Sequence, residues 1–147
     1  MNQLQPTRDK PTIAVAAAII ERDGKILACQ RATGDYAGYW EFPGGKVEPK
    51  ETAQQACKRE ILEELACKLS TTWLLDTITY EYPTFHLVMD CFVCMLVPKS
   101  EPQPLEHAQI RWLAKDELLD VMWLPADNDL IRLLGTQWEA VFGDEHL

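Results

Sequence analysis

The chain has 147 residues, of which 47% are hydrophobic and 25% charged, as in an ordinary globular protein that can bury a core. Its 14 basic and 23 acidic residues leave a formal net charge of −9. This argues against a nucleic acid polymer as partner, because phosphate-backbone binding depends on clustered Lys and Arg, but a small phosphorylated substrate is not excluded.

The length predicts one domain over residues 1–147, and the first eleven residues are expected to be a flexible segment. That segment, "MNQLQPTRDKP", has no apolar core and is not expected to act as a secretory signal. The apolar run 14–20 is too short to cross a bilayer, so no membrane partner is expected. The five cysteines are an odd count, which favours reduced thiols and a cytoplasmic location.

Residues 12–20 predict a buried strand, and Asp23-Gly24 is a strong signal for a two-residue hairpin. The partner strand is then "KILACQ", at 25–30. The following segment, 32–51, is a long connection rich in Gly and Pro, the kind of segment in which binding and catalytic residues concentrate.

A helix is predicted to begin near Thr52, because Thr52 and Gln55 have the spacing of a capping box. Its buried stripe is expected to consist of residues recurring at the helical period. These are Ala53, Ala56, Cys57, Ile61 and Leu65.

Further strands are predicted at 73–82, 86–97 and 109–114, followed by a short helix at 115–121 and a C-terminal helix at 127–142. The apolar side of the last helix is predicted to contain Leu130, Leu133, Leu134, Trp138 and Val141. Cys91 and Cys94 lie three apart on a predicted strand and should face opposite sides, which argues against a shared metal or a disulfide. The order of elements predicts an α/β fold, with a mixed β-sheet sandwiched between α-helices.

The first helix contains "REILEEL", in which Glu60, Glu63 and Glu64 stand at spacings of three and four. Like charges at these spacings repel each other. The three glutamates are expected to face away from the apolar stripe, without the alternating lysines of a solvated acidic face. A divalent cation would turn this repulsion into a binding site, and carboxylate oxygens are the ligands that magnesium and manganese prefer.

The stretch from Gly45 to Cys67 resembles the Nudix box, G-x5-E-x7-R-E-U-x-E-E-x-G-U, where U is aliphatic. Every charged position of the pattern is matched, with Glu51 and Arg59 at the required spacing. The segments "WEFPGGKVE", "EHAQIRWL" and "LPADNDLIRLL" extend the similarity to the small MutT-like pyrophosphohydrolases, and this implies the Nudix fold. Ala66 stands where the family usually has glycine, and if the position is left-handed, this costs about 1 kcal/mol.

The resemblance implies that Glu60, Glu63 and Glu64 bind the divalent cation, with the carbonyl of Gly45 or Gly44 as a further ligand. Glu60 is a candidate general base. The loop residue Glu106 is a second candidate for that role and for metal binding, and an ordinary surface glutamate is the alternative. Arg59 is expected to orient the glutamates together with Glu51, rather than to form only a local pair with Glu63.

The resemblance also implies the residues that bind the substrate, which are Arg31, Phe42, Gly44, Tyr82 and Asp127. Arg31 matches a phosphate-contacting position, although an arginine at the end of a strand can simply be solvated. Asp127 matches a base-recognising position, and an N-cap of the last helix is its alternative. Tyr82 and the nearby Phe85 are candidates to stack on the base, or else they belong to the core.

The function implied is that of a magnesium-dependent enzyme, with manganese as a possible substitute, that hydrolyses a (deoxy)nucleoside triphosphate to the monophosphate and pyrophosphate. Mutator-type clean-up of 8-oxo-dGTP or of cytosine nucleotides is the expected biology, in a monomer or a homodimer. The alternatives are a Nudix hydrolase of another diphosphate, such as ADP-ribose, and a non-catalytic nucleotide-binding module. A calcium protein is disfavoured, because no DxDxDG loop is present.

Overall fold

The computed structural model describes residues 10–143, and residues 1–9 of the predicted flexible segment lie outside this range. The strands are β1 (Thr12–Arg22), β2 (Lys25–Gln30), β3 (Trp40–Glu41), β4 (Gly44–Lys46), β5 (Leu69–Tyr82), β6 (Phe85–Leu96) and β7 (Gln109–Ala114). The α-helices are α1 (Ala53–Leu65) and α2 (Asn128–Phe142), and short 3-10 helices occupy Lys115–Asp120 and Pro125–Asp127.

The sheet is mixed and is organised around β1. This strand pairs in parallel with β6 from Thr12↔His86 to Ile20↔Cys94, and β6 pairs antiparallel with β5. On its other edge β1 has two partners, β4 beside its middle and β2 at its end. β2 in turn pairs antiparallel with β3 and β7. The loop that carries β4 is therefore held against the central strand.

The hairpin between β1 and β2 forms at the predicted residues. Asp23 and Gly24 have φ angles of 55° and 79°, and the flanking pair Arg22↔Lys25 closes a two-residue turn. Two successive positive φ angles characterise a type I′ turn, whose twist matches that of the strands it joins.

Each face of the sheet is covered by one α-helix, which explains the continuous apolar run of β1. Ala16, Ala18 and Ile20 contribute to the core beneath α1, whereas Ala17 and Ile19 contribute to the core beneath α2. Cys91 and Cys94 likewise lie in opposite cores, as their spacing predicted. The predicted α/β sandwich is confirmed.

The first helix begins and ends with the expected local chemistry. The Thr52 side chain accepts a hydrogen bond from the backbone N–H of Gln55, and the Gln55 side chain accepts one from the N–H of Thr52. At the other end Ala66 is left-handed, with φ 54° and ψ 36°, and its N–H donates to the carbonyl of Leu62. Alanine therefore occupies a conformation that favours glycine.

Several boundaries differ from the sequence-based prediction. The connection 32–51 contains β3 and β4, which are too short to show a periodic pattern. β5 begins at Leu69 rather than at residue 73, and the predicted helix at 115–121 is a 3-10 helix. Within residues 10–143, no helix is long and apolar enough to span a bilayer.

Candidate active site

The three glutamates of α1, called here the glutamate cluster, occupy three different environments. The Glu63 side chain is 55% exposed, and Glu60 is largely covered. Glu64 is only 7% exposed. The expectation that all three face away from the apolar stripe is wrong for Glu64. It follows Ile61 by three residues, which places it at the edge of that stripe, where the β4 loop covers it.

Glu64 is buried beside a second carboxyl group. The backbone N–H of Gly44 donates to Glu64 Oε1 at 3.4 Å, and the Glu60 carboxyl group lies beside that of Glu64. Burial, followed by the contact with Glu60, raises the pKa of the Glu64 carboxyl well above its usual range. Two carboxyl groups in contact therefore create a position at which positive charge is favoured.

Arg59 connects the glutamate cluster to the loop that precedes the helix. Its Nε and Nη2 donate to both oxygens of Glu51 at 2.7 and 3.0 Å, and its Nη1 lies 2.9 Å from Glu60 and 3.3 Å from Glu63. It also donates to the carbonyl of Lys46 at 3.0 Å. The hydrogen bonds from Arg59 lower the pKa of the Glu51 carboxyl to about 2. Arg59 thus makes the predicted orienting contacts with Glu51 as well as the local pair with Glu63.

Gly44 and Gly45 are positions at which an added side chain would collide with its neighbours. A Cβ on Gly44 would lie 2.0 Å from the carbonyl oxygen of Ala16, and Gly44 has a φ of 153°. A Cβ on Gly45 would lie 2.3 Å from Cδ of Glu60. The missing side chains allow the loop to approach β1 on one side and the Glu60 carboxylate on the other.

The chemistry of these donors fits a hard divalent cation. Carboxylate oxygens and a backbone carbonyl are the ligands that magnesium and manganese prefer, and a bound cation would remove the mutual repulsion of Glu60 and Glu64. Arg59 holds Glu60 and Glu63 in this structure. Within residues 10–143, no group of three His, Cys, Asp or Glu side chains is gathered closely enough to hold a metal ion.

A cavity of about 420 Å³, called here the main cavity, lies on the other side of the two glycines. Its walls include all five residues assigned to substrate binding from the sequence, which are Arg31, Phe42, Gly44, Tyr82 and Asp127. Gly45 and Lys46 also line it. Since Gly45 contacts Glu60, the cavity and the glutamate cluster meet at this glycine.

Asp127 is the most deeply buried polar residue of the main cavity, with 3% of its surface exposed. Although it precedes α2, its side chain makes no capping hydrogen bond within the described part of the chain. Asp127 therefore occupies the N-cap position of α2 without the side-chain hydrogen bond of a cap. Burial, and then the negative charge of Glu41, raise the pKa of its carboxyl, while Arg31 acts in the opposite direction.

Aromatic rings form much of the remaining wall. Tyr82 and Phe85 are stacked with centroids 4.8 Å apart, and Phe42 is stacked on Trp123 at 4.9 Å. Burial raises the pKa of Tyr82 to about 12, while the backbone of Ala126, the residue before Asp127, acts in the opposite direction. Tyr82 and Phe85 are half-buried, so they pack against the core and also face the main cavity.

The sequence analysis did not select Glu41, yet it lines the main cavity. Its Oε1 lies 3.7 Å from Nη1 of Arg31, and its Oε2 lies 3.3 Å from Nε2 of His107. The only sequence signal was a charged residue between Trp40 and Phe42, both of which are buried. Arg31, assigned to phosphate from the sequence, is thus next to a carboxylate of the cavity wall.

Glu106 is exposed on the loop between β6 and β7. The backbone N–H of Leu105 donates to the carbonyl of Glu64 at 3.2 Å, and that of Gln103 donates to the carbonyl of Leu65 at 2.8 Å. The loop is thus attached to the C-terminal end of α1, and Glu106 follows the attachment directly.

Comparison with known sequences bears on the family directly. Residues 10–134, most of the chain, match the sequence model of the NUDIX domain. The chain belongs to the Nudix family. The Nudix enzyme class implied by the resemblance to the Nudix box is confirmed, and Nudix hydrolases act on small nucleotide substrates with the help of divalent metals.

Similar proteins of known activity or structure align with most of this chain. It is 37% identical over 132 residues to the CTP pyrophosphohydrolase of Escherichia coli, covering 81% of this chain and 88% of that protein. It is also 37% identical over 134 residues to the 8-oxo-dGTP diphosphatase of Haemophilus influenzae, covering 86% and 93%. The solution structure of the E. coli ORF135 protein matches with a TM-score of 0.76 at 37% identity, covering 93% of this chain and 98% of that one.

Proposed function

We propose that this Nudix hydrolase is a magnesium-dependent enzyme that converts a (deoxy)nucleoside triphosphate to its monophosphate and pyrophosphate, acting on a cytosine nucleotide or on 8-oxo-dGTP. The observation that carries the proposal is the contact between the main cavity and the glutamate cluster at Gly45. A nucleoside bound in the cavity would have its phosphate chain beside the carboxylates.

Magnesium, or manganese in its place, is assigned to Glu60, Glu63, Glu64 and the carbonyl of Gly45. When bound, the cation neutralises phosphate charge as the P–O bond breaks and lowers the pKa of coordinated water. The Gly44 N–H already fixes the orientation of Glu64 towards this site. Arg59, itself fixed by its bidentate contact with Glu51, holds the carboxylates of Glu60 and Glu63 in place.

We assign the general base to Glu106. Glu60 and Glu63 are hydrogen-bonded to Arg59 and Glu64 is buried, whereas Glu106 is exposed. Water would attack the α- or β-phosphorus of the chain, its proton would pass to the Glu106 carboxylate, and the anhydride P–O bond between these two phosphorus atoms would break. The leaving group is pyrophosphate for attack at the α-phosphorus and the nucleoside monophosphate for attack at the β-phosphorus. Glu60, the other candidate, serves as a metal ligand in this account.

Base selection is assigned to the carboxyl groups of Asp127 and Glu41, with Tyr82, Phe85 and Phe42 providing apolar and stacking contacts. A carboxyl oxygen accepts a hydrogen bond from an exocyclic amine, which cytosine carries at N4 and guanine at N2. Uracil and hypoxanthine lack these amines. The guanidinium of Arg31 lies beside Glu41 and remains the predicted phosphate contact.

The relatives, a CTP pyrophosphohydrolase and an 8-oxo-dGTP diphosphatase, support both the reaction and the two base classes. We infer a role in clearing damaged or unwanted nucleotides before their incorporation into DNA. The five free, buried cysteines are compatible with a reducing cytoplasm. We also propose a single domain, because one family match spans residues 10–134, and a monomer or a homodimer as the working form.

The test is pyrophosphate release with magnesium from CTP, dCTP, 5-methyl-dCTP, dGTP and 8-oxo-dGTP, with ADP-ribose included and its own products measured. Glu63→Gln serves as the metal-site control. Turnover on a triphosphate that collapses in the variant supports the proposal and names the base. Turnover on ADP-ribose alone would reassign the substrate class. Nucleotide binding without any turnover would indicate a non-catalytic module.

A further inference from the structure

His107 contacts the wall of the main cavity from the loop that carries Glu106. Its side chain is only 8% exposed, and its Nε2 lies 3.3 Å from Glu41 Oε2. Since an ionised carboxylate can only accept, Nε2 is the donor. The other ring nitrogen, Nδ1, is buried and has no hydrogen-bond partner among residues 10–143. Such unpaired buried atoms are rare in folded proteins and call for an explanation.

The loop that carries Glu106 is attached to the rest of the protein on both sides of this residue. On one side of Glu106, the N–H of Leu105 donates to the carbonyl of Glu64 at 3.2 Å. On the other side, His107 contacts Glu41, and the N–H of Ala108 donates to the carbonyl of Gln30 at 2.9 Å. Glu106 therefore stands between an attachment to α1 and an attachment to the main cavity.

Glu41 is held from two directions. Arg31 approaches its Oε1 from the cavity wall, and His107 approaches its Oε2 from the loop. Removing the imidazole would leave Oε2 without this donor and would leave the loop around Glu106 held only by the backbone hydrogen bonds of Leu105 and Ala108. One side chain thus connects the carboxylate that faces the base with the carboxylate assigned to the attacking water.

We propose that His107 is a positioning residue that couples base recognition to catalysis, by holding Glu41 in the main cavity and Glu106 beside the glutamate cluster. The inference rests on the proposed function, since it assigns His107 a part in the same reaction. If His107 served only to pack the interior, an apolar side chain of similar size would replace it. A positioning residue needs the hydrogen bond to Glu41.

Three variants separate these two roles. His107→Leu retains bulk but removes the donor, whereas His107→Gln retains an N–H donor at a similar reach. His86→Leu is the matched control, because His86 Nδ1 contacts Glu81 at 2.6 Å and neither residue lines the main cavity. Thermal unfolding of each variant shows whether it is folded before kinetics are measured.

The readouts are kcat, KM and selectivity between substrates with and without the exocyclic amine, which are CTP against UTP and dGTP against dITP. For His107→Leu we expect kcat to fall by about 10-fold to 100-fold, the cost of a displaced catalytic group. We expect its selectivity to fall by about 10-fold, the value of one good polar contact to a base. His107→Gln should recover most of both losses, and His86→Leu should match the wild type.

A double variant with Glu41→Gln tests the route of the effect. If His107 acts on selectivity through Glu41, adding His107→Leu to Glu41→Gln should cause no further loss of selectivity but should still lower kcat. Unchanged kcat and selectivity in His107→Leu, or equal losses in His107→Leu and His107→Gln, would overturn the inference while wild-type turnover leaves the proposed function intact. A wild type that hydrolyses no triphosphate would overturn both.

Discussion

The glutamate cluster and the main cavity are adjacent, but they are built in different ways. The cluster comes from a single helix, and Arg59, eight residues beyond Glu51, connects it to its loop. The cavity is built from segments distant in the chain, with Arg31 at the end of β2 and Asp127 before α2. The difference indicates that the residues assigned to phosphate hydrolysis are placed by their spacing along one helix, whereas those assigned to base selection are placed by tertiary packing. Substitutions in the two regions should therefore have separable effects.

The largest effect is expected for Glu63→Gln, which keeps the size of the side chain but removes its charge. We expect kcat to fall by about 1,000-fold, because several kcal/mol of metal-dependent charge stabilisation is lost. Pyrophosphate release at saturating substrate measures this loss. Glu139→Gln, on the exposed side of α2, is the matched control and should leave kcat unchanged.

A smaller loss of kcat is expected for Gly45→Ala. The new Cβ would lie 2.3 Å from Glu60 Cδ and must displace that carboxylate, and misplacement on this scale costs about 100-fold in rate. Gly135→Ala adds the same methyl group to α2, where no atom lies within 4 Å. Equal kcat in the two variants would show that the close approach of Gly45 to Glu60 is unimportant for the chemistry.

Asp127→Asn should alter selectivity rather than rate. Asparagine presents both a donor and an acceptor, so the preference for CTP over UTP, or for dGTP over dITP, should fall by about 10-fold. The ratio of kcat/KM values within each pair measures this preference. Asp129→Asn is the control, because Asp129 is exposed and pairs with Arg132 at 3.1 Å. An unchanged ratio in Asp127→Asn would remove the base-reading role from this residue.

The smallest effect is expected for Ala66→Gly, which concerns stability alone. Ala66 has a φ of 54°, and glycine in this left-handed position should raise the free energy of unfolding by about 1 kcal/mol. Urea denaturation measures the change, and kcat should remain that of the wild type. A lower kcat in this variant would mean that the helix end also takes part in catalysis.

The sequence predicted the local features well. The Asp23-Gly24 turn, the Thr52–Gln55 capping box and the left-handed position at Ala66 all depend on residues within a few positions of each other. The resemblance to the Nudix box, which spans Gly45 to Cys67, likewise identified the family. Local periodicity did not predict the burial of Glu64, because the β4 loop that covers it forms only when β4 pairs with β1.

The residues of the cavity wall were predicted only in part, because several of them are brought together by contacts between distant parts of the chain. Glu41 lies on a two-residue strand whose place is set by pairing with Cys29 of β2. The contact of His107 with Glu41 joins residues 66 positions apart. A single sequence contains no spacing rule for such pairs. The resemblance to the Nudix family supplied Arg31, Phe42, Tyr82 and Asp127, but it did not supply the network that connects them.

The most direct test measures kcat/KM on CTP, UTP, dGTP and dITP for the wild type, Glu63→Gln and Asp127→Asn side by side. The account predicts that Glu63→Gln lowers all four values and leaves both ratios unchanged, whereas Asp127→Asn reduces the ratio within the preferred pair and retains most of the turnover. If the two substitutions change rate and selectivity in the same way, the division of work between the glutamate cluster and the main cavity is wrong.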